Sequence, residues 1–144
     1  MDQDPRLARV IDLYQRLDSA HLHLLADVYA ETVLFEDPAH RIEGRPALTA
    51  YFARLYQAVT DIEFAIASAE MAGEHGWLSW TMTLRHPRLA AGAPVAVSGA
   101  TRLTFDGAGR VSHHRDYFDL GALLYERLPL LGPLVRVIKG RFGA

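Results

Sequence analysis

The chain has 144 residues, of which 50% are hydrophobic and 22% charged, with a net charge of -2 and no cysteine. That length suits a single domain, whose core would bury roughly 68–70% of the unfolded surface. The composition excludes a disordered chain, a global basic field for nucleic acid, disulfides, thiolate metal sites and a cysteine nucleophile, and the lack of cysteine fits a cytoplasmic protein.

Met1-Asp2-Gln3-Asp4-Pro5 is acidic and carries no apolar run, so it does not read as a secretory signal. No stretch reaches the ~18 apolar residues of a membrane span. From Arg6 to Leu17 the residues Leu7, Val10, Ile11, Tyr14 and Leu17 recur at three- and four-residue spacings, which predicts an amphipathic helix. Asp18 and Ser19 end it. Ser19 is expected to cap a second helix whose face carries Leu22, Leu25, Ala26 and Tyr29. Val33-Leu34-Phe35 is a short extended segment. Pro38 disfavours helix at Asp37, which puts that carboxylate at a strand end or a turn. Gly44 and Pro46 punctuate a loop, and Pro46 starts a helix through Ala47, Tyr51, Phe52, Leu55 and Val59.

Alternation then replaces helical spacing. Ile62, Phe64 and Ile66 alternate in one strand. Leu78, Trp80, Met82 and Leu84 share one face of the next, with Ser79, Thr81, Thr83 and Arg85 on the other. His86 to Pro94 reads as a hairpin loop. Val95, Val97, Gly99, Thr101, Leu103 and Phe105 share the inner face of a long strand, and Ser98, Arg102 and Thr104 look outward. Asp106-Gly107-Ala108-Gly109 is a hairpin turn before a last strand from about Arg110 to Phe118. Asp119 is expected to cap a helix through Leu120, Leu123, Leu124 and Leu128, broken by Pro129, Gly132 and Pro133. Leu134, Val135 and Ile138 then share a final short helix with Arg136, Lys139 and Arg141. This basic amphipathic tail is expected to pack on its own domain or a twin subunit rather than on a membrane. Helices followed by a curled antiparallel sheet make an α+β pattern, with helices covering one face of the sheet. Residues 1–144 read as one domain, with a core of about 6–120 and a helical extension of about 121–144.

Two stretches bring carboxylates to apolar neighbours: Phe35-Glu36-Asp37-Pro38, and His113-His114-Arg115-Asp116-Tyr117-Phe118-Asp119. A carboxylate in an apolar site is costly to ionise, which suits proton transfer. Asp37 reads either as a general base or as a turn aspartate that bonds nearby amides. Asp116 shares parity with His114 and Phe118, so a cavity faced by Phe118 is faced by all three. Asp116 reads as an acid/base group paired with the His114 imidazole, or as an ion-pair partner of Arg85 or Arg102. His114 reads as its catalytic companion or as a hydrogen-bonded core residue. His40 follows Asp37 by three residues, a spacing that lets both converge on a substrate or a divalent metal. His21 and His23 face different directions, no histidine pair lies one helical turn apart on a metal helix, and no metal site is expected. Tyr14, Trp80, Met82 and Tyr51 read as pocket wall or as core. Tyr14 and Trp80 each carry a polar hydrogen that needs a partner when buried, which favours the wall. Thr101 and Phe118 complete the candidate substrate-binding set. No phosphate-binding glycine loop or nucleophile elbow is present, and no cofactor is implied.

Tyr29-Ala30-Glu31, Phe35-Glu36-Asp37-Pro38, Ile42-Glu43-Gly44-Arg45, Phe105-Asp106 with Gly109-Arg110-Val111, and Arg115-Asp116-Tyr117-Phe118-Asp119 follow one another across about residues 6–120. In that order they resemble the nuclear transport factor 2-like superfamily, and within it the SnoaL-like and ketosteroid-isomerase-like branches. The resemblance implies a cystatin-like cone: N-terminal helices packed on a curved sheet that encloses a pocket for a small apolar ligand, in a homodimer. It implies a cofactor-independent isomerase, cyclase or hydratase acting on a polyketide-, terpenoid- or steroid-like compound. The alternatives are a non-catalytic binding module and a dimerisation scaffold. By the same resemblance the ketosteroid-isomerase base falls on Asp37. Its oxyanion tyrosine falls on Leu13, one residue before Tyr14, and its oxyanion acid on Thr101. The catalytic aspartate of the limonene-epoxide-hydrolase branch falls on Asp116, while that branch's middle-strand arginine and aspartate fall near Met82 and Leu84. The polyketide-cyclase aspartate is also nearest to Asp116.

Overall fold

The computed structural model of the chain describes residues 3–123, 137 and 140–141. Helix α1 spans Pro5–Arg16 and buries Leu7, Val10 and Leu13, the stripe set by the three- and four-residue spacing. Asp4 caps it by accepting from the Arg6 N–H, and Pro5 sits in the first turn, where its missing N–H costs nothing.

The predicted second helix is shorter than its pattern. Asp18, not Ser19, closes the turn, its carboxylate accepting from the Ala20 N–H at 2.8 Å and from the His21 ring at 2.6 Å. A 3₁₀ turn at Leu22–Leu24 runs into a single turn, α2 at Leu25–Val28. Strand β1 (Tyr29–Glu36) then begins on Tyr29 itself. The apolar spacing is read correctly, but β-prone Tyr29 is drawn into the sheet by tertiary pairing. A short strand β2 (Arg41–Glu43), not foreseen, folds back on β1 around the Asp37–His40 turn. Gly44 adopts φ +88°, a conformation that a β-carbon disfavours, and turns the chain into α3 (Arg45–Ala58).

The remaining strands form a meander: β3 (Asp61–Ala72), β4 (His75–Arg85), β5 (Val95–Phe105) and β6 (Val111–Phe118). The sheet order is β2-β1-β6-β5-β4-β3. Every neighbouring pair is antiparallel except β1 and β6, which run parallel, so the sheet is mixed. A register shift between Ile66 and Ser68 in β3 marks a bulge, the device that bends a sheet. Inward positions of β4 and β5 are those the alternation predicted: Leu78, Trp80, Met82 and Leu84, then Val95, Val97, Thr101, Leu103 and Phe105, are buried. Helix α1 packs on β3, and α3 on β1. Helix and sheet thus face each other across the concave side, the α+β arrangement expected from the element order and the cone implied by the resemblance.

After β6 a turn of helix, α4, spans Leu120–Leu123. The tail readings on Leu124, Leu128, Pro129, Gly132, Pro133, Leu134, Val135, Arg136, Ile138 and Lys139 lie outside the described residues. Among the described residues no helix is long and apolar enough to cross a membrane.

Candidate active site

The concave face holds a cavity of about 120 Å³. Its wall is aromatic and aliphatic: Phe35, Phe52, Ile62, Phe64, Leu78 and Phe118 are among the residues that line it. Two carboxylates, Asp37 and Asp116, share that wall.

Asp116 enters because β6 alternates. His114, Asp116 and Phe118 project inward, whereas Tyr117 is 44% exposed on the outer face. Oδ1 of Asp116 accepts from the Thr101 hydroxyl at 2.6 Å and from His114 Nε2 at 2.7 Å. Thr101 stands opposite Asp116 in the β5–β6 register, which sets the first contact. Thr101 in turn accepts from the Trp80 indole N–H at 2.8 Å. The other side of the imidazole, Nδ1, lies 2.9 Å from the Tyr29 hydroxyl, and that hydroxyl lies 2.5 Å from the Tyr14 hydroxyl. Six side chains from four strands and one helix therefore form one hydrogen-bonded line, and its carboxylate shows 18% exposure towards the cavity. Oδ2 of Asp116 has no hydrogen-bond partner among the described residues. Neither Arg85 nor Arg102 pairs with Asp116; Arg102 instead meets His75 on the outer face.

Asp37 is held differently. Its Oδ1 accepts from the backbone N–H groups of Ala39 and His40 at 2.8 and 2.7 Å, the turn role foreseen as one alternative. The Tyr51 hydroxyl approaches Oδ2 at 3.4 Å. With a side chain 7% exposed, Asp37 lines the cavity as well as closing its turn. His40 does not line the cavity. It stands at the outer mouth, half exposed, with its ring against Tyr51 at 5.0 Å and Nδ1 3.0 Å from Asp37. It is an exposed turn residue, and the backbone bonds of the turn fix its side chain outside the wall. Nearby, the His113 hydrogen bond holds the Glu36 carboxyl below its ordinary value, with Arg115 and Arg41 adding to the effect.

Burial pushes the Tyr14 hydroxyl well above the usual phenol range, and the neighbouring Tyr29 and Asp116 push it further. Burial raises Tyr29 as well. Tyr51 is raised by burial and then by the charge of Asp37, and Tyr56 is pushed up to about 12 by burial. All four phenols keep their protons near neutral pH, so they orient and hydrogen-bond rather than act as bases. Among the described residues no three histidine or acidic side chains gather closely enough to hold a metal ion.

The model of the SnoaL-like domain family matches residues 10–114, which runs from the first helix to the buried histidine of β6. The chain belongs to the SnoaL-like domain family. No functionally curated protein matches the sequence. Solved structures share the fold of this SnoaL-like domain at low identity. A protein of Jannaschia sp. CCS1, named as a SnoaL-like polyketide cyclase, superposes with a TM-score of 0.72 at 18% identity, covering 86% of this chain and 94% of that one. A Catenulispora acidiphila protein of ketosteroid isomerase-like fold, solved with trimethylamine, gives 0.73 at 19% identity over 85% and 92%. A nuclear transport factor 2-like protein of unknown function from Burkholderia pseudomallei gives 0.74 at 15% identity over 85% and 96%. At these identities the likeness speaks for the fold alone.

Of the residues singled out from sequence, Asp37, Asp116, His114, Tyr14, Trp80, Met82, Thr101 and Phe118 line this same cavity. Leu13, on which the ungapped alignment places the oxyanion tyrosine, is buried in the core, and Tyr14 beside it faces the cavity. Tyr29 was missed as a site residue because helical spacing placed it on a core face. Its buried phenol carried the signal, since such a hydroxyl needs a partner.

Proposed function

We propose that this SnoaL-like domain is a cofactor-independent acid/base enzyme that isomerises, cyclises or hydrates a small, largely apolar molecule of polyketide, terpenoid or steroid-like character. Asp116 is the proton-transfer group. The observation that carries this reading is the asymmetry of its carboxylate: Oδ1 is held by Thr101 and His114, while Oδ2 has no protein partner and the side chain lines an apolar cavity. The two donors fix the direction of the carboxylate and offset the cost of its charge, and the bare oxygen is free to take a proton from carbon and return it. Asp37, near the Tyr51 hydroxyl, is the second carboxylate available for polarising or for water. His114 positions Asp116, and Trp80, Met82, Phe118 and Tyr14 supply wall.

The test is turnover across a panel of isomerase, cyclase and hydratase substrates. Asp116→Asn is expected to lower turnover about 10²–10⁴-fold, the usual worth of a general acid or base. Unchanged turnover in both Asp116→Asn and Asp37→Asn would end this reading. The second reading is a binding module without chemistry, favoured by the absence of an arginine among the cavity residues. Ligand recovered unchanged, with no turnover across the panel, would support it.

We also propose that the domain pairs as a homodimer through the outer face of the sheet. Trp77 and Tyr117, the former 40% exposed, stack there at 6.3 Å, with the Arg115 guanidinium 5.0 Å from the Tyr117 ring.

A further inference from the structure

We infer that Tyr14 selects the substrate, and that it selects one carrying a hydroxyl or N–H donor beside the carbon that Asp116 serves; this rests on the acid/base reading of Asp116. Each hydroxyl in the line of side chains has a single hydrogen to give, which orders the donors and acceptors. The Trp80 indole can only donate, so Thr101 Oγ1 accepts from it at 2.8 Å and sends its own single hydrogen to Asp116 Oδ1 at 2.6 Å. A carboxylate or carbonyl-type oxygen accepts well; an acid O–H oxygen accepts poorly. Oδ1 is therefore unprotonated, and the hydrogen in the 2.7 Å contact to His114 sits on Nε2.

Nδ1 of His114 then decides the rest. If it also carried a hydrogen, Tyr29 would accept from it and turn its own hydrogen to Tyr14. The Tyr14 hydrogen would then have no acceptor among the described residues. With Nδ1 bare, Tyr29 donates to it at 2.9 Å, Tyr14 donates to Tyr29 at 2.5 Å, and every hydrogen in the line has a partner. Buried polar groups are paired in folded proteins, so the second arrangement is the one the ligand-free chain adopts.

Tyr14 lines the cavity, and its hydrogen is committed to Tyr29. What it offers a ligand is an oxygen lone pair. A ligand carbonyl placed there sets lone pair against lone pair, whereas an alcohol, enol, phenol or amide N–H donates to it. The surrounding wall of Phe52, Phe64 and Phe118 requires the rest of that ligand to be apolar. The substrate class is thus an apolar skeleton bearing a hydrogen-bond donor.

The test compares 1-indanol and 1-indanone, two probes that differ at one oxygen and need no turnover, on the full chain near neutral pH. Wild type is expected to bind the alcohol about three- to tenfold more tightly, the scale of one hydrogen bond. In Tyr14→Phe, which keeps the ring, that preference should fall towards one. Nitrogen-15 spectra of His114 should show a protonated Nε2 and a bare Nδ1, and this readout decides the polarity even where neither probe binds. The inference is overturned by a protonated Nδ1, by the ketone binding as tightly as the alcohol, or by a preference undiminished in Tyr14→Phe, which would assign the donor contact to Asp116. Failure of the acid/base reading appears elsewhere, as absent turnover, and leaves both readouts standing.

Discussion

Gly99 pairs opposite Trp80 in the β4–β5 ladder, and the indole occupies the space a side chain would need. A β-carbon added there would lie 2.5 Å from Trp80 Cη2 and 2.8 Å from the Tyr117 carbonyl oxygen. Neither the buried ring nor the backbone can yield cheaply. Gly99 therefore lets the indole lie along the sheet and hand its N–H to Thr101, two residues further along β5. In Gly99→Ala the ring must leave, and Thr101 loses the donor that directs its hydrogen to Asp116. The expected result is a loss of about 1–3 kcal/mol in stability, the usual cost of overpacking, with the protected Trp80 indole proton becoming exchangeable in NMR. An indole proton that stays protected would show that the ring does not depend on the glycine. At this scale the sequence reading reached far: one parity argument on β6 fixed His114, Asp116 and Phe118 together. It did not reach Tyr29, because the partner that gives that phenol its role lies 85 residues away.

Among the elements, α1 carries Tyr14, so its anchorage bears on the site. Asp4 accepts from the Arg6 backbone N–H at 2.9 Å and pairs with the Arg6 guanidinium, which lies 5.2 Å over the Phe105 ring. The Arg6 side-chain hydrogen bonds, then its backbone N–H, hold the Asp4 carboxyl at about 2, below its ordinary 3.8. A carboxyl whose folded value lies below its unfolded one stabilises the fold fully above the unfolded value, and loses that contribution as pH falls through the folded one. Asp4→Asn keeps a capping side chain but removes the charge. Urea midpoints should therefore separate wild type from Asp4→Asn at about pH 5, with wild type the more stable, and should converge as pH falls towards about 2. A gap that does not change with pH would mean that the pair contributes nothing. Helix spacing and strand alternation were legible because each is a local period. The short α2 and the strand β2 were not, because pairing with distant strands overrides propensity there.

At the scale of the whole molecule, α1 and α3 lie on the concave face of the sheet, and Trp77 and Tyr117 on its convex face are partly exposed. The proposed dimer makes a direct prediction. Sedimentation at micromolar concentration should give two copies, and Tyr117→Asp, which puts a charge beside Trp77, should shift the protein towards one copy with the core intact. A wild-type monomer under those conditions would remove the proposal. The α+β class was legible from the order of elements, since amphipathic helices ahead of alternating strands have few ways to bury both apolar faces, and the cone came from the resemblance of the motifs. The parallel contact of β1 with β6 was not, because strand order leaves no mark on local pattern.

That contact has a kinetic consequence. Strand β1 cannot find its parallel neighbour until β6 exists, so the ladder closes across the stretch from Tyr29 to Val111, more than half of the chain. Loop closure of that length is paid before the contact returns anything, which places such topologies among the slower folders. As the protein emerges from the ribosome, α1 and β1 must wait with their apolar faces uncovered for the residues that complete the sheet. His114 and Asp116 arrive on that closing strand, so the hydrogen-bonded carboxylate of the cavity and the closure of the fold come into being in the same step.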